Sequence, residues 1–311
     1  MVFLLVSTVY VHAKNQHTVG IAYSTWHNST TWQRAWGTPA LGQYESGDSQ
    51  VIKQHAEWLA EAGVDFIFVD WSNDLPYAPS CNCRPDIQFI EDATYKVFDI
   101  YEQLERHPKI AIMIGFDAAS ALADGSLQRK ADQVYRDFIA NSHRAPHYEK
   151  YEGKPLLMVY VGTPAPFQNG LPPWNDPRFT IRWLTGFITE QPALLGPDRL
   201  SKFGYWSWED RGPQSFSVEG EHPEAMTVTA SWRSEDAKVP ARTRMGGSTF
   251  VNEWARAREK DVKMALIVSW NEWVIEEQIN SEASKDLEPS VEFGDFYLKL
   301  LKSEIDKFKG R

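Results

Sequence analysis

The 311-residue chain has only two cysteines, Cys81 and Cys83, which stand two positions apart. So few cysteines exclude a disulfide framework. The pair could form a local bridge or half of a metal site, but no further Cys or His pair at zinc-like spacing lies near it. We therefore expect the two cysteines to shape a loop, and we expect neither a metal nor a cofactor.

Basic residues are also few, with 32 Lys and Arg against 42 Asp and Glu and a formal net charge of −10. No stretch concentrates enough positive charge to hold a phosphate backbone, so nucleic acid is not an expected partner. Outside residues 1–13, no window approaches the roughly 18 to 20 apolar residues that a membrane span requires. We expect no membrane span in the mature protein.

Residues 1–13 are apolar from Val2 to Val11 and end in the small-residue pattern Val11-His12-Ala13. This pattern suits signal-peptide cleavage before Lys14, although the basic n-region of a signal peptide is missing. A truncated start or a buried first strand are the alternatives. We expect a signal peptide and a secreted or periplasmic protein.

Aromatic residues, in contrast, are abundant: 13 Trp, 12 Tyr and 16 Phe make up 13% of the chain. Flat, amphipathic rings serve either a core or a surface that receives flat apolar faces. Their positions relative to the predicted strands separate these uses.

Short apolar, β-branched runs recur along the chain and predict eight strands. The predicted strands are Val19 to Tyr23, Asp65 to Asp70, Ile110 to Phe116, Pro155 to Val161, Phe179 to Leu184, Phe203 to Ser207, Met226 to Ala230 and Ala265 to Trp270. Amphipathic helices are predicted before the second, third and eighth strands and at the C-terminus, and the first of them ends at Gly63.

Eight buried strands alternating with helices predict an α/β protein, a single (β/α)8 TIM barrel over residues 15–311. The segments Gly162 to Arg178 and Glu209 to Glu224 lack helical periodicity, so units four and six are expected to have reduced helices. A doubly wound open sheet is the alternative. It would usually bring a Gly-rich phosphate turn after the first strand, and Tyr23-Ser24-Thr25-Trp26-His27 is not one.

Trp and carboxylate residues coincide just after predicted strands two, six and eight, where a barrel carries its chemistry. Sugars present an apolar face and a rim of hydroxyls, which indoles and carboxylates or amides complement. The predicted substrate-binding residues are Tyr23, Trp26, His27, Trp71, Asn73, Trp206, Trp208, Trp232, Asn271 and Trp273. Trp58 and Trp254 lie on predicted helix faces and are assigned to packing.

Glycoside cleavage typically needs two carboxyl groups that flank the scissile bond. Glu272 is the first candidate, because it follows an apolar strand and stands between two Trp residues that can raise its pKa. Asp70 holds the comparable place after strand two. For both, a purely structural role at the barrel rim is the alternative. Weaker candidates are Asp117, Asp210 and Glu276, with Glu209 and Glu277.

The segment Ser269-Trp270-Asn271-Glu272-Trp273, followed by Gln278-Ile279, resembles the signature of family-99 glycoside hydrolases, endo-acting α-mannosidases on a (β/α)8 barrel. The same segment is similar to that of related bacterial polysaccharide-processing barrels, and so is the later segment Asp286-Leu287-Glu288-Pro289-Ser290. The resemblance is concentrated in this C-terminal portion. It implies that Glu272 is the catalytic carboxylate that engages the 2-hydroxyl of the substrate.

The family places its second catalytic Glu three residues later, where this chain has Ile275. An Ile side chain cannot transfer a proton, so the endo-mannosidase mechanism does not carry over whole, and mannan specificity does not follow. The second carboxylate is then Glu276 or Glu277, or a residue of another strand such as Asp70, Asp117 or Asp210.

The sequence therefore predicts a secreted glycoside hydrolase with a polysaccharide or oligosaccharide substrate. A non-catalytic carbohydrate-binding barrel is one alternative, suggested by the missing second Glu. A polysaccharide lyase is another, with Arg233, Arg242 and Arg244 as the cations that would neutralise a uronate. The sugar, its linkage, the stereochemical course and the oligomeric state stay open.

Overall fold

The computed structural model describes residues 17–72, 88–116, 122–162, 170–186, 188, 191–210, 212–232, 242–273 and 281–311. Numbered along the chain, the strands are β1 (Thr18–Tyr23), β2 (Phe66–Trp71), β3 (Lys109–Phe116), β4 (Lys150–Tyr151), β5 (Lys154–Val161), β6 (Thr180–Thr185), β7 (Trp206–Ser207), β8 (Val218–Glu219), β9 (His222–Pro223), β10 (Ala225–Thr229) and β11 (Met264–Val268). The helices are α1 (Ser49–Ala62), α2 (Gln88–Tyr101), α3 (Ser126–Val134), α4 (Ser248–Glu259) and α5 (Phe296–Lys309).

The main sheet runs in the order β10-β11-β1-β2-β3-β5-β6-β7, and every neighbouring pair in this order is parallel. Between its two ends, the Thr227 hydroxyl of β10 donates a hydrogen bond to the Ser207 carbonyl of β7. The Gln214 amide also donates to the Thr227 carbonyl at 2.7 Å. The eight strands form a nearly closed barrel with helices between them, so the protein has the (β/α)8 TIM-barrel fold.

Side chains alternate between the inside and the outside of the barrel, as the period of two in a strand requires. The inward side chains fill the lumen and include Ala22, Phe66, Phe68, Met113, Met158, Leu184, Trp206, Trp208 and Leu266. The outward side chains pack under the helices and include Ile21, Ile67, Val69, Ile112, Val159, Val228 and Ile267. The chain thus builds two apolar layers, one inside the barrel and one around it.

Helix α1 shows how the sequence sets its helix ends. The Asp48 side chain caps its N-terminus by accepting from the backbone N–H groups of Gln50 and Val51. At the other end Gly63 adopts φ 87°, a left-handed conformation that favours glycine. The chain then enters β2 three residues later.

All eight predicted barrel strands are present, and the predicted barrel is confirmed. The sixth strand is shorter than predicted, since only Trp206–Ser207 pairs with β6, and the eighth ends at Val268 rather than at Trp270. The segment from Glu209 to Glu224 contains the antiparallel β8–β9 hairpin among its described residues instead of a helix. Between β6 and β7, the described residues include short 3-10 turns at Pro192–Leu194 and Pro197–Arg199 and contain no α-helix.

Within the described ranges, no helix has both the length and the apolar character needed to cross a membrane. Residues 1–16, which hold the predicted signal peptide, lie outside these ranges, as do Cys81 and Cys83.

Candidate active site

The candidate active site lies at the C-terminal ends of the barrel strands. Asp70 shares the inward face of β2 with Phe66 and Phe68 and comes last of the three, so its side chain lies at the mouth of the lumen. Tyr160 has the same orientation near the end of β5 and packs with the lumen cluster. The mouth is also the end from which barrel enzymes work.

Glu272 follows β11 at this mouth and is only 3% exposed. Its backbone N–H donates to the carboxylate of Asp286. Asp286 is itself held by the Ser269 hydroxyl at 2.7 Å and by the Trp36 indole N–H at 2.8 Å. Asp286 therefore anchors the backbone that presents Glu272.

Lys285 lies between two carboxylates at the mouth. Its Nζ is 2.7 Å from Oε2 of Glu209 and 3.1 Å from Oε2 of Glu272. The side chains of all three residues are at most 9% exposed. One buried cation is thus shared by two buried acidic side chains.

Burial raises the pKa of Glu272 to about 8. The charge of Lys285 opposes this rise, whereas the negative charges of Asp286 and Glu209 add to it. Because Lys285 also pairs with Glu209, its charge offsets only part of the cost of burying Glu272. Glu272 is therefore a carboxyl group that keeps its proton at neutral pH.

Asp70 is 4% exposed and accepts the backbone N–H of Ser72 at 2.7 Å. Burial raises its pKa, while the hydrogen bonds from Ser72 and the charge of Lys285 lower it. Burial, together with the charge of Asp70, raises the pKa of Tyr160 to about 12. Lys285, Glu272 and Glu209 act on Tyr160 as well, so these groups share one electrostatic environment.

Trp208 forms part of the floor of the mouth. Its ring meets Phe68 edge-on with the ring centroids 6.0 Å apart, and meets Tyr160 in the same way at 6.2 Å. Nζ of Lys285 lies 6.0 Å from the centroid of the Trp208 ring. Trp208 is thus a predicted sugar-binding tryptophan that lies beside Tyr160 and Lys285.

Asn271 and His27 lie beside the mouth with their polar groups engaged. The Asn271 amide is paired with the backbone of Ser24, accepting at 2.8 Å and donating at 3.0 Å, and also donates to the Tyr44 hydroxyl. His27 contacts the Asn271 carbonyl through Nε2 at 2.6 Å and stacks on Trp32 with centroids 4.4 Å apart. Burial lowers the pKa of His27 to about 3, so it is neutral. These contacts fasten the Glu272 segment to the end of β1.

Tyr23 and Trp71 belong to the outward faces of β1 and β2. The Tyr23 hydroxyl lies 2.9 Å from Nδ1 of His55 in α1. The Trp71 indole donates to the Thr94 hydroxyl of α2 at 2.8 Å. Both rings are buried in the layer between the barrel and its helices, so the structure does not bring them to the predicted cleft.

The remaining tryptophans are dispersed. Trp206 is buried in the lumen and donates to Glu224 at 2.9 Å, toward the N-terminal end of the barrel. Trp273 is fully buried, stacks on Trp36 and donates to Glu288. Trp232 is 9% exposed, and Trp26 is partly buried against the outer core.

Asp210 links Ser207 and Ser215 through hydrogen bonds. One of its oxygens accepts the Ser207 hydroxyl at 2.8 Å, and the other accepts both the backbone N–H and the hydroxyl of Ser215, at 2.6 and 2.7 Å. Burial raises its pKa, and these hydrogen bonds lower it. The contacts indicate a role in closing the 208–215 loop.

Several predicted site residues lie outside the described residues, and the structure places none of them: Asn73, Asp117, Arg233, Ile275, Glu276 and Glu277. Of the two other arginines considered for a lyase, Arg244 is buried and donates to the backbone carbonyls of Ser281 and Asp286. Arg242 lies over the Trp232 ring at 5.9 Å.

From the sequence, Tyr160 is only the aromatic residue near the end of the fourth predicted strand, Lys285 is not a candidate at all, and Glu209 is a weak one. Glu209 stands next to Trp208, a pattern that the other strand ends share, so its position after a strand was a usable signal. Lys285 precedes Asp286 in the C-terminal segment that carries the family resemblance, but no local pattern marks it. Among the described residues, no group of His, Cys, Asp and Glu side chains is arranged to hold a metal ion.

No protein-family model matches the chain, and no curated protein matches it either. Among solved structures, the chain is similar to the GH99 endo-α-mannosidase from Bacteroides thetaiotaomicron, with a TM-score of 0.63 at 14% identity over 95% of this chain and 98% of that one. A second structure of that enzyme gives 0.63 at 13% identity with the same coverage. A "glycoside hydrolase-like protein" gives 0.53 at 16% identity, over 93% of this chain and 94% of that one. At these identities the likeness shows a shared fold along nearly the whole chain.

Proposed function

We propose that the protein is a glycoside hydrolase that cleaves a polysaccharide or oligosaccharide at the mouth of its barrel. The observation that carries the proposal is Glu272, a buried carboxyl group at the end of the last barrel strand with a pKa of about 8. A carboxyl group that keeps its proton at neutral pH suits a general acid in glycoside cleavage. The fold shared with glycoside hydrolases supports the same class of reaction.

In this proposal, Glu272 donates its proton to the glycosidic oxygen while the bond from that oxygen to the anomeric carbon breaks. Asp70 is the partner carboxylate, because it faces the same mouth from β2 and shares the electrostatic environment of Lys285 and Tyr160. It either attacks the anomeric carbon or takes a proton from the attacking water. The ring of Trp208 offers an apolar surface beside these groups.

The test is hydrolysis of a panel of α- and β-linked oligosaccharides and polysaccharides, measured as new reducing ends. On a substrate that the wild type cleaves, Glu272→Gln should fold normally and lose at least about a thousandfold in kcat/KM, since it removes the transferred proton. The matched control is Glu102→Gln, because Glu102 is a surface carboxylate paired with His143. Unchanged hydrolysis by the Glu272 variant would overturn the proposal.

One observation favours a second candidate, a carbohydrate-binding barrel without catalysis. Lys285 lies 3.1 Å from Glu272, a contact that also fits a purely structural network. Calorimetry combined with the reducing-end assay separates the two functions. Binding of a glycan by the wild type without any new reducing ends would favour the binding protein.

A further inference from the structure

The segment that carries Lys285 is fastened directly to the segment that carries Glu272. The backbone N–H groups of Leu287 and Glu288 donate to the carbonyl of Trp270 at 3.1 and 3.0 Å. Asp286 in turn accepts the backbone N–H of Glu272. These contacts fix the backbone next to Lys285 beside the backbone that carries Glu272.

Glu209 approaches the same lysine from a different part of the barrel, the loop after β7. Its carboxylate is the nearer of the two partners of Lys285, at 2.7 Å against 3.1 Å for Glu272. The triangle formed by these contacts leaves the two carboxylate oxygens no more than about 6 Å apart. A second anion this close in a buried site is unfavourable, so the Glu209 carboxylate favours the protonated form of Glu272, and the cation between the two groups opposes this effect.

We propose that Lys285 is a positioning residue that holds the Glu272 carboxyl group at the mouth, and that Glu209, the nearer partner of Lys285, competes with Glu272 for this cation. The role of Glu272 as the acid rests on the proposed function, but the bridge of Glu209, Lys285 and Glu272 is a property of the free protein. The charges of Lys285 and Glu209 should shift the pKa of Glu272 in opposite directions, since one is a cation and the other an anion.

The described groups that face Glu272 come from several elements. Lys285 and Asp286 lie on the C-terminal segment, and Glu209 follows β7. Tyr160 of β5 and Asp70 of β2 belong to the same environment. Lys285 is the cation at Glu272 in this set, so its removal leaves Glu272 among anions and neutral groups.

The experiment is a ¹³C NMR titration of protein labelled at the Glu side-chain carboxyl carbons, with the Glu272 signal assigned from its loss in Glu272→Gln. Lys285→Met should raise the apparent pKa of Glu272 by about one or more, and Glu209→Gln should lower it. Lys285→Arg should restore a value close to that of the wild type. Lys263→Met is the matched control, because Lys263 pairs with Glu219 away from the mouth, and it should leave the Glu272 titration unchanged.

The same titration in all variants would overturn the proposal, as would shifts of equal sign for Lys285→Met and Glu209→Gln. If Lys285→Met does not fold, Glu209→Gln alone still decides, because it removes a charge and keeps the shape. The titration needs no substrate. A protein that shows the opposed shifts but hydrolyses no glycan would retain the bridge and lose the proposed function.

Discussion

Each end of the barrel places a cation among acidic side chains, but the two ends differ in how fully hydrogen bonds and ion pairs satisfy these side chains. At the N-terminal end, Glu224 accepts from Arg182 at 2.7 Å, from Trp206 and Ser217 at 2.9 Å each, and from Tyr151 at 3.2 Å. At the C-terminal end, the side-chain contact of Glu272 within the described part of the chain is the 3.1 Å pair with a lysine that Glu209 approaches more closely. Full satisfaction of a buried charge is typical of a structural group, and partial satisfaction leaves a group able to change its protonation.

The β2 strand offers the sharpest form of this comparison, because Asp65 directly precedes it and Asp70 lies near its far end. Asp65 accepts the backbone N–H of Val19 at 2.7 Å and pairs with Lys309 at 2.6 Å. Asp70→Asn should lower kcat by about 10²- to 10⁴-fold, the usual range for loss of a positioned acid or base. Asp65→Asn should leave kcat nearly unchanged. Steady-state kinetics on the cleaved substrate checks both, and equal losses would remove the distinction between the two ends.

Glu224 should matter for stability rather than for hydrolysis. Glu224→Gln leaves the part-buried Arg182 with weaker partners, Glu152 and Glu219 at 3.2 Å each. We expect the free energy of unfolding to fall by about 2 to 4 kcal/mol, with kcat of the folded protein retained. Urea unfolding beside the activity assay tests this. If Glu224→Gln lost activity at normal stability, the result would indicate an active site at the N-terminal end of the barrel and contradict the proposed site.

The pH dependence should separate the two ends as well, since each has a carboxyl group with a raised pKa. Burial raises the pKa of Glu272 to about 8 at the mouth, and burial raises that of Glu149 to about 7 near the N-terminal end. Activity should fall about tenfold per pH unit above 8, because the protonated acid disappears. Glu149→Gln should not move this alkaline limb of the kcat profile.

Glu272 and Glu149 should also affect the stability of the fold, and each should make it less stable as the pH rises. A carboxyl group whose pKa is higher in the folded state than in the unfolded state contributes stability at low pH, below about 4.5 for a glutamate, and this is lost as pH rises through the folded pKa. Thermal unfolding from pH 4 to 9 should therefore show a decline that Glu272→Gln and Glu149→Gln each reduce. In the activity profile, an alkaline limb of kcat that moves in Glu149→Gln would contradict the assignment of Glu272 as the acid.

The barrel could be predicted from the sequence because each strand is a short apolar run whose boundaries polar and turn residues mark. The direction of individual side chains could not. In a parallel barrel both faces of a strand are buried, so Phe66 to Val69 is apolar throughout and does not show which face turns inward. Glu272 could be proposed from the sequence because it follows a strand, whereas the contact of Lys285 with it joins two distant parts of the segment after β11 and has no local pattern.

Trp71 is a residue whose side-chain direction could not be predicted from the sequence. Its substitution is expected to have the smallest effect. Its neighbour Asp70 faces the mouth, so the alternation of a strand turns Trp71 outward, where its ring packs near Phe138 and its N–H is bound by Thr94. Trp71→Phe should cost about 1 to 2 kcal/mol of stability, because it loses a buried hydrogen bond and some ring area, and should leave KM unchanged.

Trp208→Phe provides the counterpart, since Trp208 lies on the mouth side of the lumen against Tyr160. It should raise KM for a glycan, because a smaller ring offers less surface to a sugar face. Measuring KM and the urea midpoint for both variants decides the matter. If Trp71→Phe raises KM at unchanged stability, the ring contacts substrate after all, and the outward face of β2 contributes to the site.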